Sequence, residues 1–230
     1  MLEAETGFRR RRETLLRDGI WQVRGRPGVA GTLIEAWYDS VSLSRQSPEG
    51  TLVPDTEGLL GGRYRGTLSP AGRYVATARP FVPDEVAEVS DLGAAMDELL
   101  PPLPPLALAV GERWADSAGL ELRRLPDSAA GVRAVRRLAL RARAEADRAT
   151  VRGDTTAIAA RQVTVEEGQV DWDAAEGFLR RTRHIVVETS VPAGGRVRAA
   201  LRSRLVQDVV VERVGPGQPE RSEGSADACE

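Results

Sequence analysis

Lysine and asparagine are absent from the 230 residues, so all 32 basic side chains are arginine. GC-rich codon usage produces that bias, and arginine abundance alone therefore carries no functional message. The single cysteine, Cys229, sits in a polar stretch at the C-terminal end, which excludes an intramolecular disulfide and a cysteine-ligated metal site. His184 is the only histidine, so Cys-His and multi-histidine arrangements each lack a part, and a serine triad would have to use His184 itself as base. Long apolar runs are missing too. The longest, 99–110, contains Pro101, Pro102, Pro104 and Pro105, which rules it out as a membrane-spanning helix. Charge of one sign does not predominate: the net charge is −2 and the pI is near 5.7, so no global positive field exists and nucleic acid is not an expected partner. The opening residues lack an apolar core of the export-signal kind; such a signal is expected to be absent or to lie upstream.

What is present reads as strands. Hydrophobic residues make up 41% and charged residues 29%, the balance of a folded chain. The basic run Arg9 to Arg12 reads as part of a flexible lead-in, 1–12, to the first strand. Segments 15–23 and 32–43 are rich in Trp, Tyr, Ile, Val, Leu and Thr and predict two strands with a glycine-bearing turn between them. Residues 47–62 carry Pro48, Gly50, Pro54 and Gly58 and predict a loop. A hairpin follows over 64–68 and 74–78, closed by Ser69-Pro70-Ala71-Gly72, where proline presets one turn angle and glycine tolerates a positive φ. Ser90 as N-cap and Asp91 behind it predict a helix through Leu92, Ala95, Met96 and Leu99, one face of which packs on a sheet before Pro101 stops it.

Beyond the proline connector, periodicity overrides propensity. Residues 133–147 are helix formers by type, yet Leu138, Leu140, Ala142, Ala144 and Ala146 alternate with charged residues, and a period of two means strand. The same alternation runs through Val197, Ala199, Leu201, Leu205, Val209 and Val211, a pattern long enough to predict a bent strand in a curved sheet. With 158–166 and 178–191 between them, these segments predict a four-strand antiparallel meander. The resulting architecture is α+β, mostly β: a strongly curved antiparallel sheet, a half-barrel meander, with one or two helices covering its concave side. It is one domain over 13–214, with sub-parts 13–100 and 106–214 joined by the connector 101–105, and a disordered tail over 215–230.

Candidate chemistry is sparse. His184 shares its register with Val186 and Glu188, opposite Ile185 and Val187, which predicts that it faces solvent or a cross-strand neighbour. Glu166, Glu167, Asp171, Asp173 and Glu176 gather around Trp172 as calcium ligands would, but at no EF-hand spacing, so a solvated acidic hairpin end is the simpler reading. Gly58 to Gly62 lacks the Lys-Ser/Thr ending of a phosphate loop. Trp21, Trp37, Trp114 and Trp172 are spaced as packing residues. No catalytic residue, cofactor or metal ligand is assigned.

Gly66-Thr67-Leu68-Ser69-Pro70-Ala71-Gly72, the 99–105 connector, Val110-Gly111-Glu112-Arg113-Trp114 and Val209-Val210-Val211-Glu212-Arg213 occur in an order that resembles exported bacterial proteins, often lipoproteins, of poorly characterised role. Their architecture is similar to the lipoprotein-carrier half-barrel of the LolA and LprG/LppX type. The resemblance covers roughly 13–214 and implies a sheet whose hollow can hold acyl chains, in a periplasmic or cell-envelope protein. The anchor cysteine of a lipoprotein follows an N-terminal signal, whereas Cys229 is at the opposite end.

Three readings result. The first is a non-enzymatic envelope protein binding a lipid or other apolar ligand against Leu138, Leu140, Ile185, Val187, Leu201 and Leu205. The second is a structural or protein-interaction module with a filled core, and the third is a hydrolase of an envelope polymer, which would need a carboxylate pair in a cleft.

Overall fold

The long alternating segments form strands over most of their described length, and the strands from Leu120 onward pair antiparallel with their sequence neighbours. The computed structural model describes residues 2–6, 9–93, 95–96, 99, 103–130, 133–152, 156–173, 177–193 and 200–214. Its strands are β1 (Leu2–Thr6), β2 (Arg9–Gly28), β3 (Gly31–Ser47), β4 (Gly50–Leu52), β5 (Tyr64–Leu68), β6 (Tyr74–Ala78), β7 (Arg113–Ala115), β8 (Leu120–Ala130), β9 (Arg133–Arg152), β10 (Thr156–Asp173), β11 (Gly177–Val191) and β12 (Leu201–Glu212). They form a 12-stranded antiparallel sheet in the order β6-β5-β3-β2-β1-β12-β11-β10-β9-β8-β7, with β4 added to β3. The sheet is mostly β and curved, and it does not close into a barrel, since β6 and β7 end it as separate edges.

Two meanders, β1 to β6 and β7 to β12, meet where the five residues of β1 bridge β2 and β12. Beyond Glu13, β2 leaves β1 behind and pairs only with β3 among the described strands. The stretch 1–12, expected as a lead-in, thus holds β1 and the start of β2. In the backbone register there, Glu3 is opposite Arg12 and Arg204, and Glu5 is opposite Arg10 and Arg202.

The predicted hairpin has the bounds of β5 and β6. Gly72 adopts φ 73° and its amide bonds the Ser69 carbonyl at 2.9 Å, the conformation the turn sequence called for. The loop at 47–62 contains β4 and a 3-10 turn at Glu57–Leu59. Among the described residues, the segment from Ser90 to Leu99, expected as a helix, holds none. The one α-helix among the described residues, α1, spans Asp84–Ala87, after Pro83 and with Asp84 and Glu85 in its first turn. Among the described residues that follow, Asp91 Oδ1 accepts the Gly93 N–H at 3.0 Å, and isolated turns close from Ala95 to Leu92 and from Leu99 to Met96. A local side-chain acceptor with glycine two residues on diverts the backbone from helix. The face survives this change: Leu92 and Met96 are buried and Leu99 packs beside them.

Those residues, with Val86 of α1 and Leu59 of the 3-10 turn, cover one face of β2, β3 and β5. At its centre Trp21 lies 4.3 Å from Tyr38 and 4.9 Å from Tyr64 between ring centroids. β3 changes the parity of its buried residues from Ala36 and Tyr38 to Val41 and Leu43. An irregularity opposite Ile20/Trp21, where Asp39 has no partner in the β2 register, allows both pairs to reach the same core. A second, smaller cluster joins Leu120, Leu122 and Leu140, with Trp114 and Ala142 against it. β7 and β8 were not expected as strands. Their alternation is cut short by Arg124, which is buried and bonded to Asp127 and the Leu125 carbonyl.

Candidate functional site

Pairing register decides which residues of the C-terminal meander share a face. Leu138 of β9 stands opposite Val170 of β10, which stands opposite Arg181 of β11, itself opposite Val211 of β12. The next rows run Leu140, Gly168, Arg183, Val209 and Ala142, Glu166, Ile185, Gln207. A further row runs Ala144, Thr164, Val187, Leu205, and Val191 pairs Leu201 beyond it. All six residues expected to line a hollow, Leu138, Leu140, Ile185, Val187, Leu201 and Leu205, therefore lie on one face. Leu140 and Ile185 are buried, and the other four are half-buried.

The centre of that face carries charge, which the sequence reading placed elsewhere. β10 continues to Asp173, so Glu166 belongs to a strand and not to an acidic hairpin end. Its carboxylate receives two parallel bonds from Arg183, Nε to Oε1 at 2.7 Å and NH2 to Oε2 at 2.9 Å, and a third from Arg181 at 3.2 Å. This fork geometry is the strong form of an ion pair. Burial pushes the Glu166 carboxyl upward, but the bond and charge of Arg183 together with Arg181 outweigh it and hold the group below the usual carboxylate range. Arg181 is as buried as Leu140. The signal was present in the sequence: Arg181 and Arg183 fall in the same register as Leu179, Ile185 and Val187, so a partner acid had to share their face.

The remaining acids of the expected cluster separate. Glu167 projects to the opposite face, where it meets Arg141 at 3.4 Å, and Asp171 lies 3.9 Å from Arg137, while Glu176 lies outside the described residues. No group of three His, Cys, Asp or Glu side chains placed to hold a metal occurs among the described residues. His184 is 51% exposed and its Nδ1 lies 2.7 Å from Asp208 Oδ1, across the pleat on the outer face, as its register predicted. That face is a lattice of arginine-carboxylate contacts, including Arg161 and Arg143 on Glu145 and Arg204 near Glu188. A shallow cavity of about 230 Å³ is lined by Glu145, Ala146, Asp147 and Arg161, and none of the six lining residues belongs to it.

The imidazole is half-exposed and meets Asp208 on the face opposite the six apolar residues. His184→Ala is expected to change stability by less than about 1 kcal/mol. Binding of any ligand held against Leu138, Leu140, Ile185, Val187, Leu201 and Leu205 should stay within about threefold of the parent, since the ring is on the opposite face of the sheet. A denaturant titration and a binding titration of the variant check both, and a hundredfold loss of binding would be incompatible with this placement.

The tryptophans pack as expected of core and rim residues: Trp21 in the aromatic cluster, Trp114 on Leu120 and Leu122, Trp172 edge-on to Phe178 at 6.5 Å, and Trp37 under arginines. No helix is long and apolar enough to cross a membrane among the described residues. Searches against protein-family models, curated proteins and solved structures find no match to the chain.

Proposed function

We propose that this chain is a non-enzymatic, envelope-located protein that holds an apolar ligand, an acyl chain or similar lipid moiety, against the hollow face of β9 to β12, in the manner implied by its resemblance to the lipoprotein-carrier half-barrels. The observation that supports this reading is the gathering of Leu138, Leu140, Ile185, Val187, Leu201 and Leu205 on one face, four of them only half-buried. Ala142 and Ala144 stand on the same face, and their small size leaves volume above a curved sheet. The covering residues Val86, Leu92 and Met96 pack on β2, β3 and β5, so the described cover lies over the other meander. Half-exposed apolar surface of this kind gains about 25 cal/mol per Å² on being covered.

Titration of the delipidated protein with a fluorescent fatty acid tests the proposal. Saturable binding at micromolar protein, competed by unlabelled fatty acid and lost on replacing Leu138 by Asp, is the expected result. Absence of saturable binding would favour the second reading, a structural module in which the Glu166, Arg181 and Arg183 cluster fills the centre of the face for packing alone.

The register itself is tested by a neighbouring pair. Leu205→Asp is expected to cost about 2 kcal/mol, because a carboxylate enters a half-buried apolar row. Arg204→Asp should cost less than about 1 kcal/mol, since it loses only an exposed contact with Glu188. Equal melting temperatures for the two would mean the alternation is out by one residue.

A further inference from the structure

Charge is not evenly spread over this nearly neutral chain. Residues 22–37 and 63–79, which span the distal β2-β3 hairpin and the β5-β6 hairpin, contain Arg24, Arg26, Arg63, Arg65, Arg73 and Arg79 against one carboxylate, Glu35. Strand alternation sorts four of them to one side. Arg24 stands opposite Glu35, which stands opposite Arg65; Arg26 stands opposite Leu33, and Leu33 is followed across the sheet by Thr67 and Val75. The residues that alternate with these, Ala36, Tyr38 and Tyr64, are buried under α1 and the Leu92 segment, so the arginines occupy the uncovered outer face. Arg65 is bound to Glu35 at 3.0 Å, and Arg63 and Arg24 lie over the Trp37 ring at 3.8 and 4.9 Å from its centroid. Exposed apolar side chains sit between the charges: Val29 is fully exposed at the hairpin tip, Leu33 is 44% exposed and Val75 is 56% exposed. On the β9 to β12 half, by contrast, the outer-face arginines Arg141, Arg161, Arg180 and Arg204 each have a carboxylate within 4 Å.

We propose that the outer face of the β2, β3, β5 and β6 strands docks on an anionic phospholipid bilayer, with Arg24, Arg26 and Arg65 against headgroup phosphates and Val29 and Leu33 entering the headgroup boundary. Guanidinium forks match phosphate oxygens, and each basic side chain near an anionic membrane contributes a modest attraction that sums over the patch. Interleaved aliphatic side chains gain by burial at the same boundary. A nucleic acid would make different use of the patch, since single strands rely on open aromatic faces for base stacking, and the Trp37 ring is already overlain by guanidinium groups. The docking surface is separate from the hollow, and the two can fail independently.

The test is co-sedimentation of the full chain with vesicles of phosphatidylcholine alone and with vesicles carrying roughly one-third phosphatidylglycerol. Binding to the anionic vesicles only, weakened as salt rises to about 0.5 M, is expected. The double variant Arg24→Glu/Arg26→Glu should lose at least about tenfold in vesicle affinity. Val29→Asp should lose several-fold, while an equal charge change on the other half, Arg141→Glu/Arg204→Glu, should leave binding as in the parent. Melting temperature and fatty-acid binding of the Arg24/Arg26 variant should match the parent, which separates this surface from the hollow. No binding to anionic vesicles, equal binding by the Arg24/Arg26 variant, or Arg24/Arg26-dependent binding of an oligonucleotide without vesicle binding would each overturn the proposal.

Discussion

Glu166→Ala is expected to destabilise the fold by about 3–5 kcal/mol, the range for removing one partner of a buried ion pair. The carboxylate takes three bonds from Arg181 and Arg183, and both guanidiniums would keep their burial without it. That loss is a large share of the roughly 5–15 kcal/mol that holds a domain folded. Urea unfolding at neutral pH measures it, and a change below about 1 kcal/mol would show that the cluster is not coupled to stability. The pH dependence has a definite sign. Because the arginines hold the folded-state carboxyl below its ordinary value of about 4.3, its contribution is fully present above that value and is lost as pH falls through the lower folded one. The gap between parent and Glu166→Ala should therefore narrow in acid and stay constant from about pH 6 upward.

The same cluster marks the boundary of what the residue order made legible. Alternation alone placed Leu138, Leu140, Ile185, Val187, Leu201 and Leu205 on one face, because a period of two within each strand and antiparallel pairing between neighbours leave little choice. The β5-β6 hairpin was equally clear, since proline and glycine fix the turn chemistry locally. The role of Glu166 is not, because it ends the strand predicted over 158–166 and the acidic residues after it read as a turn. A carboxylate 15 and 17 positions before its arginine partners is satisfied only through the register of two strands, which no local pattern reveals. The Ser90 helix failed for a competing local reason, the Asp91-Gly93 turn, while its apolar residues still found the core. Burial is decided by hydrophobic spacing, and backbone form by whichever acceptor is nearest.

Tyr64→Ala should cost about 3–5 kcal/mol, the range for deleting a large buried ring. Tyr64 is 1% exposed and holds the N-terminal core in two ways: its ring packs against Trp21 and edge-on to Tyr38, and its hydroxyl donates to the Leu92 carbonyl at 2.6 Å. That bond ties the non-helical Leu92 segment to β5, so the cover depends on a single buried donor as well as on apolar contact. Tyr64→Phe separates the two contributions. It keeps the ring and leaves the Leu92 carbonyl without this donor, at an expected cost of about 1–3 kcal/mol. Burial pushes the Tyr64 phenol well above its ordinary value of about 10, so the neutral form is the one the folded state favours. Its contribution is complete below that value and is lost as pH rises through the higher folded one; the difference between parent and Tyr64→Phe should accordingly shrink in strong alkali. Near-ultraviolet circular dichroism and thermal unfolding of the two variants measure these effects, and a Phe variant as unstable as the Ala variant would assign the cover to the hydroxyl in place of the ring.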